Sequence, residues 1–117
     1  MTHHHIRLGE IAHARSGDKG SGANVAVFAS TQAAYPILRK YLTASLVQKF
    51  FKRLGVGKVQ RYDVPNLQAF NLVLPNILAG GGSRSLRIDA QGKTLGQAIL
   101  EMQIKITDQA LISLKPK

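Results

Sequence analysis

Ala23-Asn24-Val25-Ala26-Val27-Phe28-Ala29 is a seven-residue run broken by one polar side chain. A short run of small, β-branched and aromatic residues reads as a strand. Its near-continuous apolarity predicts burial on both faces, which places it centrally in a sheet. The fold is read outward from this strand. Immediately upstream, Ser16-Gly17-Asp18-Lys19-Gly20-Ser21-Gly22 is rich in turn formers and predicts the loop that delivers it. Before the loop, Ile6 to Ala14 reads as a partner strand. Ile6 and Leu8 share one phase of the alternation and Ile11 falls on the other, so a bulge at Gly9 is expected.

Downstream the period changes from two to 3.6. Ser30 and Thr31 can cap a helix whose first turn accepts Pro36, with Ile37, Leu38, Tyr41 and Leu42 on one face. Thr43 opens a second helix carrying Leu46, Val47, Phe50, Phe51 and Leu54, stopped by Gly55 and Gly57. Lys58 to Val64 reads as a strand closed by Pro65. Asn66 then caps an expected helix with Leu67, Phe70, Leu74 and Leu78, disturbed at Pro75 and ended by Gly80-Gly81-Gly82. Ser83 to Asp89 suits a strand, Thr94 to Glu101 a helix, and Met102, Ile104 and Ile106 a last strand. The order predicts a single α+β domain over residues 1–117, with one mixed or antiparallel sheet and helices mainly on one face. Residues 1–5 and 108–117 are expected to be flexible or peripheral.

The 117 residues hold 16 Lys and Arg against 6 Asp and Glu, a net charge of +10, and no cysteine. Disulfides, zinc–thiolate sites and cysteine nucleophiles are thereby excluded. No apolar run approaches the ~20 residues of a membrane-spanning helix, and the first residues lack a signal peptide's apolar stretch, so a cytoplasmic protein is expected. The charge raises a nucleic-acid reading, densest at Lys49, Lys52 and Arg53 near Arg39, Lys40 and Lys58. No RNP-like run accompanies it, and the opposite helix face carries Leu46, Phe50 and Leu54. A solvated outer face is therefore the preferred reading of that cluster.

Catalytic signals are sparse. The glycine-rich Ser16–Gly22 stretch, with Lys19, reads either as a plain hairpin turn or as an anion-binding loop. Gly92-Lys93-Thr94 lacks the upstream glycine of a phosphate loop, and Thr94 reads as a helix cap. His13, Ser16 and Asp18 carry no nucleophile motif. His3, His4 and His5 are consecutive and do not converge on a metal. No catalytic residue, metal site or cofactor is assigned.

Several blocks taken together resemble a known family. They are Ala14-Arg15-Ser16-Gly17-Asp18-Lys19-Gly20 with Ala23-Asn24-Val25, then Val59-Gln60-Arg61-Tyr62-Asp63-Val64-Pro65-Asn66, then Ala69-Phe70-Asn71-Leu72-Val73-Leu74, and finally Leu78 to Gly82 with Leu86 to Lys93. In this order, across roughly Ile6 to Ile106, they resemble the AtuA-like C-terminal domain of the acyclic terpene utilisation proteins. Ser21 and Gly22 depart from that pattern by removing a loop carboxylate, and Phe70 replaces a usual Leu. The large N-terminal domain of full-length members is missing, so the chain looks like a stand-alone version of the small domain.

The resemblance implies a ferredoxin-like sandwich and a role in catabolism of acyl-CoA-type or terpenoid intermediates. It implies Ser16, Asp18, Lys19, Asn24, Asn71, Asp89 and Lys93 as the family's polar positions, each read singly as bracing within the fold and all together as the candidate ligand-binding cluster. Two readings follow. One is a partner domain without catalysis of its own, bound to a larger protein carrying the AtuA N-terminal domain, to a second copy, or to both. The other is a stand-alone enzyme or binder of an anionic small molecule, using the Asp18 and Lys19 loop. Nucleic acid is the weakest expected partner, and no membrane partner is expected.

Overall fold

The computed structural model describes residues 3–19, 22–77 and 94–114, with the backbone alone at 18 and 19. The apolar run forms β3 (Gly22–Ala29), which pairs antiparallel with β2 (Ala12–Lys19) on one side and β5 (Ala69–Leu74) on the other. β4 (Gln60–Val64) closes the sheet, giving the order β2-β3-β5-β4. The expected central strand is thus central. A second, two-stranded antiparallel sheet pairs β1 (His3–Arg7) with β6 (Gln103–Thr107). The architecture is α+β with antiparallel sheets, divided into two where one sheet was expected.

That division originates in the stretch from Ile6 to Ala14, which is not one bulged strand. Leu8–Glu10 forms a 3-10 turn between β1 and β2, with Leu8 fully buried. The Glu10 carboxylate accepts the Arg7 backbone N–H at 2.7 Å, which stabilises the turn. Leu8 and Gly9 donate backbone N–H bonds to the Met102 and Leu100 carbonyls, so this end follows β6. His3 to His5, expected at the periphery, are ladder residues opposite Thr107, Ile106 and Lys105.

The register fixes two faces of the larger sheet, because side chains alternate along each strand. Val25, Val27, Phe70, Leu72 and Leu74 share the inner face with Arg61 and Asp63, and the five apolar side chains are fully buried. Ile6, Ile104 and Ile106 add the buried side of the β1–β6 sheet to the same core. Helix α1 (Ala34–Tyr41) is seated on the inner face by Tyr35, whose ring stacks on Phe70 at 5.1 Å. Arg61 reaches the C-terminal end of the same helix. Its Nη1 donates to the Arg39 and Leu42 carbonyls at 3.0 and 2.8 Å, supplying partners to acceptors that a helix leaves open. Its Nε lies 2.9 Å from Asp63.

Helix α2 (Ala44–Phe50) begins at Thr43, whose hydroxyl accepts the Leu46 N–H at 3.1 Å, as the sequence predicts. Its continuation ends at Gly55, where φ is 76° and a Cβ would be strained. The helix expected from Asn66 is instead a 3-10 turn (Pro65–Leu67) followed by β5. Gln68, at φ 51°, interrupts any helical path, and its carbonyl accepts the Ala29 N–H. Phe70 and Leu74 are four residues apart, a spacing shared by one helix face and one strand face. Helix α3 (Leu95–Ile99) carries the expected Thr94 cap as a reciprocal box with Gln97.

Asp108, expected in a flexible or peripheral segment, opens α4 (Asp108–Ser113), and its carboxylate is hydrogen-bonded to His4 Nε2. The expected Gly80–Gly82 stop and Ser83–Asp89 strand lie outside the described residues. Among the described residues no helix is long and apolar enough to cross a membrane.

Candidate functional site

The face of the larger sheet turned away from α1 has a different composition. One cross-strand row runs Arg15, Ala26, Asn71, Tyr62, and the next holds His13 and Phe28. On the other side lie Gly17, Asn24, Val73 and Gln60. None of these residues is buried: His13, Arg15, Gln60 and Tyr62 are exposed, and those on the central strands are half-buried. The His13 and Phe28 rings stack at 5.1 Å with 9° between their planes, a pairing in which each shields one face of the other. Tyr62, 52% exposed, donates its hydroxyl to Gln60 Oε1 at 2.7 Å, and the ring stands beside Asn71. The small side chain of Ala26 leaves the middle of the face low between these flanks.

The residues singled out from sequence are divided by this geometry. Asn24 and Asn71 come together: Asn24 Nδ2 donates to Asn71 Oδ1 at 3.1 Å across β3 and β5 on the outer face. Each amide keeps hydrogen-bonding capacity beyond that bond. Ser16 faces the other way, with the inner-face residue Val25 opposite it. Its Oγ accepts the Gly96 N–H at 3.2 Å in the first turn of α3, a bracing bond between helix and sheet. Gly96 is buried, and a Cβ there would meet Ser16 N and Oγ at 3.4 Å. Ser16→Ala is therefore expected to cost about 1–2 kcal/mol in urea unfolding, through one unsatisfied N–H at a buried helix start.

Asp18 and Lys19 are ladder residues opposite Ala23 and Gly22, so β2 extends through most of the stretch expected to be a loop. The connection narrows to residues 20–21. Asp89 and Lys93 lie outside the described residues. The structure thus joins two of the seven candidates, turns a third to the opposite face, and gives backbone positions for two more.

One feature of the outer face departs from the sequence reading: Phe28, in the strand expected to be buried on both faces, is half-buried and stacks on His13. The alternation of exposed His13 and Arg15 with Ala12 and Ala14 was a usable signal, masked by the single long strand assumed for Ile6 to Ala14. Among the described residues no buried side chain is polar or charged, and no group of three His, Asp or Glu side chains could hold a metal ion.

An antiparallel four-stranded sheet with helices seated on one face and a mixed polar and aromatic opposite face defines a small α+β sandwich domain. Residues 6–105 match the family model of the AtuA ferredoxin-like domain, and the chain belongs to that family. No curated protein and no solved structure matches it.

Proposed function

We propose that this chain is a partner domain without catalysis of its own, docking through the outer face of β2-β3-β5-β4 onto a larger protein of the AtuA type. In this reading it assists that protein in the catabolism of acyl-CoA-type or terpenoid compounds. Family membership supports the pathway. The observation that carries the docking reading is the outer face itself. Tyr62, Phe28, His13 and Val73 give it apolar and aromatic area, and the Asn24–Asn71 pair gives it amide groups suited to another protein's backbone.

Its charge content points to the same class of partner. Of the 16 Lys and Arg residues, two fall on this face by register, Arg15 and, at the end of β2, Lys19. A surface evolved for polyanions concentrates such groups. A second copy of the chain carries the same +10, so self-association works against its own charge.

Mixing the purified chain with the large-domain AtuA protein is expected to give a complex at micromolar concentrations in analytical ultracentrifugation. Protection from hydrogen exchange should appear at Asn24, Ala26 and Asn71. No complex at tens of micromolar, or protection confined to α1 and α2, would remove the proposal. Self-association through the same face would replace the large partner with a second copy.

A further inference from the structure

A groove along α2 carries an independent inference. It is lined by Ser45, Gln48, Lys49, Lys52 and Val56. Four of these stand at positions i, i+3, i+4 and i+7, so α2 and the turn after it present them along one face. The preference from sequence was for a merely solvated lysine surface. The structure gives that surface concavity and a single polarity.

The polarity follows from one internal hydrogen bond. Gln48 Oε1 accepts the Val59 N–H at 2.9 Å, which fixes the amide orientation because a backbone N–H needs an acceptor. The Gln48 NH₂ is then the part of the amide left to face a ligand. Lys49 and Lys52 offer ammonium donors, and both are exposed with no hydrogen bond or ion pair to any described residue. The Ser45 hydroxyl completes the set. No Asp or Glu occurs anywhere between Asp18 and Asp63, a stretch that holds Lys19, Arg39, Lys40, Lys49, Lys52, Arg53, Lys58 and Arg61. These donors therefore line one groove with no carboxylate near them in sequence to neutralise them.

We propose that this groove binds the phosphate or pyrophosphate group of a small ligand. Two ammonium groups and a fixed amide donor suit several oxygens of one anion, and charge-assisted bonds are the stronger kind. Neutralising two lysines held on one helix face also relieves their mutual repulsion. A nucleic-acid backbone is a separate reading that this compact groove favours less, because five lining residues offer contacts for one anionic group and not for a track of them.

The test is a titration of the ¹⁵N-labelled full chain with sodium pyrophosphate at constant ionic strength. Saturable shifts are expected at the amides from Ser45 to Val56. Lys49→Ala with Lys52→Ala should weaken binding about tenfold or more, the loss expected for charge-assisted contacts. Arg39→Ala with Lys40→Ala removes the same charge elsewhere and should leave the affinity within about twofold if the groove, not the general field, binds the anion. Gln48→Glu keeps an acceptor for Val59 while adding a negative charge, and should abolish binding. Thermal melting verifies that each variant is folded. Non-saturating or scattered shifts, equal losses in the two double variants, or tighter binding of an oligonucleotide along the same residues would overturn the proposal.

Discussion

Phe70→Ala is expected to lower the unfolding free energy by about 3–5 kcal/mol, the range for deleting a buried aromatic ring. The ring has no exposure and occupies the inner face of β5 between two specific partners. Tyr35 of α1 stacks on it at 5.1 Å with 15° between the planes, and the Arg61 guanidinium carbon lies 4.9 Å from its centre. Removing the ring withdraws the surface on which both are arranged. Arg61 also holds the Arg39 and Leu42 carbonyls, so the damage extends to the end of α1. Small domains are stable by about 5–15 kcal/mol, so the variant would stand close to unfolding. Equilibrium urea denaturation measures the loss. Phe70→Leu retains most of the volume and should cost about 1–2 kcal/mol less than the alanine variant. A loss under about 1 kcal/mol for Phe70→Ala would contradict a core organised around this ring.

Phe70 also shows which parts of the fold were legible in the sequence. Its burial was evident, and so was its pairing with Leu74 on one face. Whether that face belonged to a helix or a strand was not, since a four-residue spacing satisfies both periods. Leu72, buried between them, supplies the two-residue period, and the left-handed backbone at Gln68 separates Leu67 from the run. Leu67, assigned to the same apolar stripe, is 63% exposed.

The local signals at Thr43, Thr94 and Gly55 were read correctly, whereas the cap expected at Asn66 opens no α-helix. Thr43 and Thr94 cap helices through their own hydroxyls, and Gly55 ends a turn by its positive φ, properties fixed within a few residues of chain. Elements fixed by distant partners were not readable in this way. Nothing near Ile6 says that β1 pairs with β6 near the other end of the chain. Nothing near Ser16 announces a bond to Gly96, eighty residues away.

The candidate site divides along the same line. Asn24 and Asn71 were singled out separately through a family pattern, and their hydrogen bond exists because β3 and β5 are neighbours. The run Ala23–Ala29 was read as buried on both faces. One face is buried, whereas Asn24, Ala26 and Phe28 are half-buried on the other. Small residues made the strand appear uniformly apolar. What they provide instead is a low centre in an amphipathic surface, which composition could not distinguish from burial.

That low centre supplies the strongest test of the docking proposal. Ala26→Glu is expected to weaken association with the large-domain protein by about a hundredfold or more, since a longer, charged side chain overfills the low centre and must be desolvated under the partner. Ala26 is flanked by Arg15 on β2 and Asn71 on β5, in the row that ends at Tyr62. A longer side chain there fills the space that a partner's surface would occupy. The substitution leaves the inner face untouched, and its carboxylate stands opposite Arg15, a cross-strand pairing that is favourable by a few tenths of a kcal/mol. Stability should consequently change by less than about 1 kcal/mol, so lost association would not reflect unfolding. Tyr62→Ala on the edge strand should weaken the complex by a smaller factor, near tenfold, if the ring is a contact and not the centre. Calorimetric titration with each variant decides between faces. Unchanged affinity in Ala26→Glu would place the partner elsewhere, because no close packing against the middle of this sheet can accommodate that side chain unaltered.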